Sequence, residues 1–356
     1  MDRSVPSAIF TVDDDRVRSI LHDYGIQDSM DTITELFRYN FSGREVRLIL
    51  KVTFKNRASM VIKLKNEKDL SREVVEQQSA FSAILERHGV PVAGPLQAHE
   101  KYTSQLSDGG RGVIVKVEEF REKELPCVDL ETAKKTGKLL ANTHNISEAH
   151  HCHVHFPVLF DPFARNDLFC VEEFKRIGSV LSGADCARYL RIMGKYNDHM
   201  EHISSLRSQE RFAVQGDISN NNLFMTSSGE IGLFDFNRCG DNHLFCDAIM
   251  QAVYEARLMD YSPTDPPSER SLLESFLSGY HEIRPFTAEQ VDMIPHLYAV
   301  ISAFWRMDIL YAANSLDKAM KNAASHAVSE KLRSIEYKDK RRMKGGRVFA
   351  EKAVDF

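Results

Sequence analysis

The chain has no Walker-type Gly-Lys-Ser/Thr element, and its 356 residues include only one tryptophan and six cysteines. The first absence excludes the P-loop way of gripping a nucleotide. Cysteines at positions 127, 152, 170, 186, 239 and 246 show no paired metal spacing and are too sparse for a disulfide scaffold, so they read as reduced thiols. No apolar run approaches the roughly 20 residues that span a bilayer. Asp2, Asp13, Asp14 and Asp15 stand where a secretory signal needs an apolar core, so a cytoplasmic location is expected. The basic run Lys338-Asp339-Lys340-Arg341-Arg342-Met343-Lys344 contains an acid within a chain of net charge -5, and it reads as a solvated helix end. Neither a nucleic-acid nor a membrane partner is expected. With 43% hydrophobic and 27% charged residues, the chain has ample material for packed cores in two domains.

What is present is concentrated between Val214 and Asp247. Asp217 is followed five residues later by Asn222, and Asp235 ends the apolar run Ile231-Gly232-Leu233-Phe234. Phosphoryl transfer needs this order: one carboxylate to orient a hydroxyl, then an amide oxygen and a second carboxylate to hold magnesium against phosphates. Magnesium keeps several waters, so one Asn and one Asp suffice on the protein side. Residues 223–225 and 231–236 read as short strands joined by Thr226-Ser227-Ser228-Gly229-Glu230, a hairpin that would fold Asp235 back beside Asn222. Alone, either aspartate would more often cap a helix or end a strand. Together, with the hairpin between them, they favour chemistry.

Gln215-Gly216-Asp217 through Asn222 resembles the His-Gly-Asp-x-x-x-x-Asn catalytic loop of the aminoglycoside phosphotransferase and choline kinase-like superfamily, relatives of the protein kinases. Phe234-Asp235-Phe236 resembles its metal-binding Asp-Phe motif. The resemblance implies an α+β, two-lobed protein kinase-like fold, with a small antiparallel sheet and one helix in residues 1–120 and a larger, mainly helical part in 121–356. It implies ATP and Mg2+ as cofactors, Asp217 as catalytic base, and Asn222 and Asp235 as metal ligands. Gln215 departs from the family histidine, but an amide can both donate and accept hydrogen bonds.

Such a fold needs a strand lysine near the N-terminus, and Lys63 in Ser59-Met60-Val61-Ile62-Lys63-Leu64 supplies it. Two strand-like runs precede it, and their junction Phe41-Ser42-Gly43-Arg44 places Ser42 in a small-residue loop suited to cover phosphates. Ser71 to His88 has mostly helical spacing, with Ser71 as N-cap and Gly89 as stop. Glu73 and Glu76 are its candidate partners for Lys63, on different faces, and Gln77 or Gln78 lies nearer the family register; Glu76 is taken. Asp108-Gly109-Gly110 is a hairpin turn signal between two further strands. By resemblance, Glu118 and Phe120 lie where the family holds adenine through backbone groups.

Helical patterns dominate after Leu130. Tyr254, Glu255, Asp260, Trp305 and Asp308 fall on late helices that would wall an acceptor pocket, and their acids suit a cationic acceptor. The expected function is ATP- and Mg-dependent O-phosphotransfer to a hydroxyl of a small polar molecule such as an aminoglycoside, amino alcohol or sugar. A nucleotide-binding pseudokinase and a protein Ser/Thr kinase are the alternatives, the latter disfavoured by the short interval from Asp235 to Asp247. His151, His153 and His155 would share one face of an extended segment and could serve a transition metal, but a polar loop between helices is the preferred reading.

Overall fold

The computed structural model describes residues 10–41, 45–108, 111–122, 125, 128–164, 169–258, 268–313 and 315–337. Ser42, the Gly109-Gly110 part of the expected turn, Asp260 and the basic run from Lys338 lie outside the described residues. The chain divides into two compact units, Met1–Glu124 with Leu223–Asn237, and Leu125–Asn222 with Arg238–Phe356.

The first unit opens with α1 (Asp14–Asp23), β1 (Met30–Phe41), β2 (Glu45–Phe54), β3 (Met60–Asn66), α2 (Arg72–Arg87), β4 (Thr103–Asp108) and β5 (Arg111–Glu119). The second begins with α3 (Leu130–Ala149), α4 (Val171–Gly178), α5 (Gly183–His202) and β6 (Phe212–Val214). The chain then returns to the first unit for β7 (Leu223–Met225) and β8 (Ile231–Leu233). It finishes the second with β9 (Gly240–Asn242), α6 (Leu244–Leu258), α7 (Glu269–Ile283), α8 (Ala288–Ala303), a π-helical turn over Met307–Tyr311, α9 (Leu316–Lys321) and a helix over 325–337.

The hairpin carrying Asp235 therefore groups with the N-terminal unit, which differs from a single cut after residue 120. The reason is backbone pairing. Leu233 N–H donates to the Pro91 carbonyl at 2.9 Å, and Ala93 N–H donates to the Leu233 carbonyl at 3.1 Å.

The five-stranded antiparallel sheet runs β1-β2-β3-β5-β4. Alternate side chains of a strand face opposite ways, and here each face has its own chemistry. Leu48, Leu50, Val52, Ile62, Leu64, Val113, Val115 and Val117 form a core with Val17, Ile20, Leu21 and Tyr24 of the α1 segment. That helix is additional to the one the sequence pattern indicates; Asp13 caps it, accepting from Arg16 N–H at 2.9 Å. Tyr24 donates its hydroxyl proton to the Val115 carbonyl at 2.9 Å, anchoring the helix end to β5. The opposite face carries Arg47, Lys51, Lys63, Lys65, Lys116 and Glu118: Lys65 stands opposite Arg47, Lys63 opposite Lys116, and Val61 between Lys51 and Glu118.

In the second unit, Phe304 gathers Phe169, Phe174 and Tyr196 at centroid distances of 5.5, 4.9 and 5.1 Å. Helices α3 and α7 meet backbone to backbone. A Cβ on Gly137 would lie 2.0 Å from the Phe276 carbonyl oxygen, and one on Gly279 would lie 2.0 Å from that of Lys134. Among the described residues, no helix is long and apolar enough to cross a membrane. Replacing a helix-interior glycine by alanine ordinarily stabilises a helix. At Gly137 or Gly279 the sign should reverse, with Gly279→Ala lowering stability in urea titration by about 1–3 kcal/mol; an unchanged midpoint would mean that the two backbones do not touch.

Candidate active site

The candidate residues lie in two groups, one on each unit. In the second unit, β6 and β9 pair antiparallel, with Val214 opposite Gly240, and the loop that leaves β6 carries Gln215 to Asn222. Gly216 has φ +78°, and a Cβ there would sit 2.6 Å from the Arg238 carbonyl oxygen, so only glycine fits this turn. The Gln215 side chain, fully buried, accepts the Asp217 N–H at 2.8 Å. The amide thus braces the loop.

Past the aspartate, Ile218 N–H donates to Gln251 Oε1 at 2.9 Å. Gln251 Nε2 donates to Asp247 Oδ1 at 2.9 Å, and the other Asp247 oxygen lies 3.1 Å from His144 Nε2. His144 Nδ1 in turn meets the Tyr280 hydroxyl at 2.8 Å. Burial lowers the proton affinity of His144 despite Asp247, so this chain holds without an imidazolium. Asn222 Nδ2 donates to the Asp217 carbonyl at 2.7 Å and to Ser219 Oγ at 3.3 Å, which leaves its Oδ1, an acceptor, outside these two bonds. Asp217 itself is half-buried.

In the first unit, Lys63 lies 3.3 Å from Asp235 and pairs with Glu118, whose other oxygen is 2.9 Å from Lys116 Nζ. Burial opposes the Lys63 charge, but Asp235 and Glu118 outweigh it and raise the amine's pKa above the lysine norm. Burial likewise opposes ionisation of Asp235, yet Lys63, Lys65 and Arg47 pull it down to about 2. Glu118 is lowered too, with Lys116 and Lys63 overcoming its burial. Lys65 goes the other way, pushed by burial to about 7.

Asp235 has φ +55°, a left-handed backbone uncommon outside glycine and often found at functional sites. The residues after it hold it there. Phe236 packs edge-on against Phe81 of α2 at 6.1 Å, Asn237 Oδ1 accepts from Lys65 Nζ, and the Asn237 carbonyl accepts from Gln78 Nε2 at 3.3 Å. In the hairpin, Leu223 stands opposite Leu233. Asn222 and Asp235 thus flank paired residues. A carboxylate held ionised and an amide oxygen are donors that fit a hard cation such as Mg2+.

Glu76 requires a correction. It accepts from Tyr102 N–H at 2.8 Å and from Thr103 N–H and Oγ1 at 3.0 and 2.7 Å, so its side chain ties α2 to β4. The carboxylate beside Lys63 comes from Glu118 on the neighbouring strand, whose expected role was a backbone contact to adenine. At Phe120 the N–H is already given to the Ser59 carbonyl at 3.0 Å, while the ring receives Lys51 Nζ at 3.7 Å. Sequence patterning could have found Glu118 as a lysine partner, because 116 and 118 alternate onto one face of β5.

No family model matches this chain, and no curated protein matches it. Solved structures do. An amicoumacin kinase with AMP-PNP and Ca2+ aligns at TM-score 0.57 and 18% identity over 90% of this chain and 93% of that one. A microcompartment-associated aminopropanol kinase aligns at 0.59 and 16%, covering 94% and 99%. An aminoglycoside phosphotransferase from Alicyclobacillus acidocaldarius aligns at 0.51 and 11%, covering 86% and 93%. This chain has the protein kinase-like fold of the small-molecule kinases. The resemblance read from residues 215–222 and 234–236 is thus matched by a shared architecture over nearly the whole chain.

Within that kinase-like fold, the expected acceptor residues separate. Tyr254 and Trp305 do meet, edge to face at 5.6 Å. Asp308, on the π-helical turn, pairs with Lys331 at 2.7 Å. Glu255 is wholly buried. Thr136 lies beside it but gives its proton to the Thr132 carbonyl at 2.9 Å, so neither Glu255 oxygen has a hydrogen-bond partner. Burial raises its pKa to about 8. Uncharged and neutralised respectively, Glu255 and Asp308 do not supply the field that a cationic acceptor was expected to feel. The histidine run also divides. His151 packs on Phe212, whereas His153 and His155 approach one oxygen of Asp241 at 3.5 and 3.3 Å, and among the described residues no three such groups converge for a metal.

Glu255 makes stability depend on pH. Between 4.5 and about 8 the folded state keeps a proton that the unfolded chain releases, so stability falls as pH rises through this window. Glu255→Gln removes that proton exchange. Its melting temperature should exceed the wild type's near the upper limit and match it near the lower one; parallel curves across the window would show that Glu255 is not buried and neutral.

Proposed function

We propose that the chain is an ATP- and Mg-dependent O-phosphotransferase acting on a hydroxyl of a small polar molecule. The observation that carries this reading is the Gln215–Asn222 loop, whose buried amides bond the backbone N–H and carbonyl of Asp217. In this reading Asp217 orients the acceptor hydroxyl and receives its proton as the oxygen attacks the γ-phosphorus, while the bond from that phosphorus to the β,γ-bridging oxygen breaks and ADP leaves with its electron pair. Lys63 neutralises phosphate charge. Asn222 and Asp235 would hold Mg2+, which when bound supplies positive charge to the phosphate oxygens.

The names of the similar structures support the acceptor class, since amicoumacin and aminopropanol kinases and an aminoglycoside phosphotransferase are all small-molecule kinases. Gln215 bonding to the Asp217 N–H removes the main ground for a pseudokinase. A cytoplasmic setting fits the free Cys152, Cys170, Cys186, Cys239 and Cys246.

The test is ATP turnover against a panel of amino alcohols, sugars and aminoglycosides. Asp217→Asn should lower turnover by about 10²–10⁴ with nucleotide affinity nearly intact. Wild-type turnover in that variant would remove Asp217 from the chemistry. Asp235→Ala should weaken magnesium-dependent ATP binding more than Asn222→Ala, because a carboxylate brings the metal charge as well as an oxygen. The reverse order, measured by calorimetry with and without EDTA, would displace Asp235 from the metal site.

A further inference from the structure

The Lys63 face of the first unit holds more buried amines than carboxylates bonded to them among the described residues. Lys63, Lys65 and Lys116 are each about 5% exposed or less. Arg47 on the same face is served by Glu67, in two bonds of 2.6 and 2.8 Å. For the three amines, Glu118 and Asp235 are the carboxylates that remain among the described residues, and Glu118 is shared between Lys63 and Lys116. Lys65 reaches no carboxylate among the described residues; its partner is the neutral Asn237 Oδ1. Asn237 Nδ2 is itself buried without an acceptor. Three buried amines thus share two carboxylates among the described residues, and Asp235 is the one that the proposed reaction commits to a metal.

A buried charge without a counter-ion is costly, and proteins keep one mainly where a ligand completes it. Lys63 and Lys65 are two positions apart on β3, so their attachment points stand roughly 6.5 Å apart on one face. Lys116 faces Lys63 across the β3–β5 ladder. This spread of donors suits a chain of phosphates better than one phosphate.

We propose that Lys65 and Lys116 join Lys63 in a three-amine polyphosphate site, in which Lys65 Nζ and Asn237 Nδ2 donate to phosphate oxygens. Glu118 is the positioning residue of this site, fixing Lys63 and Lys116 to the sheet. The inference deepens the phosphotransferase reading and rests on it for the natural ligand, a nucleoside triphosphate. The site discriminates by phosphate number, favouring triphosphate over diphosphate and monophosphate.

The test uses the full chain with tripolyphosphate, pyrophosphate and adenosine as probes, read by calorimetry and thermal melting. Tripolyphosphate should bind the wild type more tightly than pyrophosphate. Lys65→Met and Lys116→Met should each weaken tripolyphosphate by about tenfold or more, as loss of a charge-assisted bond does, and leave adenosine unchanged. Without ligand, Lys65→Met should melt at or above the wild-type temperature, because it removes a buried amine that has no carboxylate bonded to it among the described residues. A lower melting temperature or loss of the fold in Lys65→Met overturns the proposal, since it would make Lys65 a structural tie to Asn237. Equal tripolyphosphate affinity in wild type and both variants overturns it as well. Polyphosphate binding through these lysines with no transfer from ATP to any acceptor would leave this site standing and remove the phosphotransferase reading; transfer that survives both substitutions unchanged would do the opposite.

Discussion

A single carboxylate, Glu118, stands between two buried amines, and the chemistry of the first unit is arranged around that constraint. A lysine taken out of water needs a counter-charge at short range. Here both partners lie on neighbouring strands, so the ladder of backbone hydrogen bonds between β3 and β5 fixes their separation. Helix α2 is released from that duty. Its Gln78 holds the Asn237 carbonyl and its Glu76 holds the start of β4, so the helix braces the segment after Asp235 without supplying a charge to Lys63.

The Gln215–Asn222 loop of the second unit follows a different rule. Its backbone follows neither helix nor strand for most of its length, and irregular backbone near a core must find hydrogen-bond partners in side chains. Three amides do this: Gln215 for Asp217, Gln251 for Ile218, and Asn222 for the Asp217 carbonyl. Behind Gln251 the bonds run on through Asp247 and His144 to Tyr280, all buried. The position of Asp217 is thereby tied to α3, α6 and α7, the helices that form much of the second unit's interior. Gly137 and Gly279 allow α3 and α7 the close approach on which His144 and Tyr280 depend.

Local chemistry was legible wherever one residue type has one use. The bounds of α2 follow from Ser71 and Gly89, the β7–β8 hairpin from its polar turn, and the candidacy of Asp217, Asn222, Asp235 and Lys63 from spacing and motif. Helix α1 was not read, because its apolar residues are few and its stability comes from docking on the sheet. The role of Glu255 was misjudged for a related reason. An acid on an amphipathic stretch looks solvated until the packing of the neighbouring helix is known, and only that packing makes it neutral.

By itself, then, the amino-acid order determined which carboxylates, amides and amines are candidates for the site, since short motifs and the period-two alternation of strands are local properties. Which groups meet was decided by tertiary structure. Glu76 and Glu118 are both plausible partners for Lys63 in one dimension, and Glu118 pairs with it because β5 lies next to β3 in the sheet while Glu76 faces Thr103. The same holds for Gln215, whose competence as a brace depends on a buried bond to the Asp217 N–H that no spacing rule contains. Long-range strand order and helix packing bring together residues far apart in sequence, and the resulting loss of solvent sets whether each charge is kept, shared or given up.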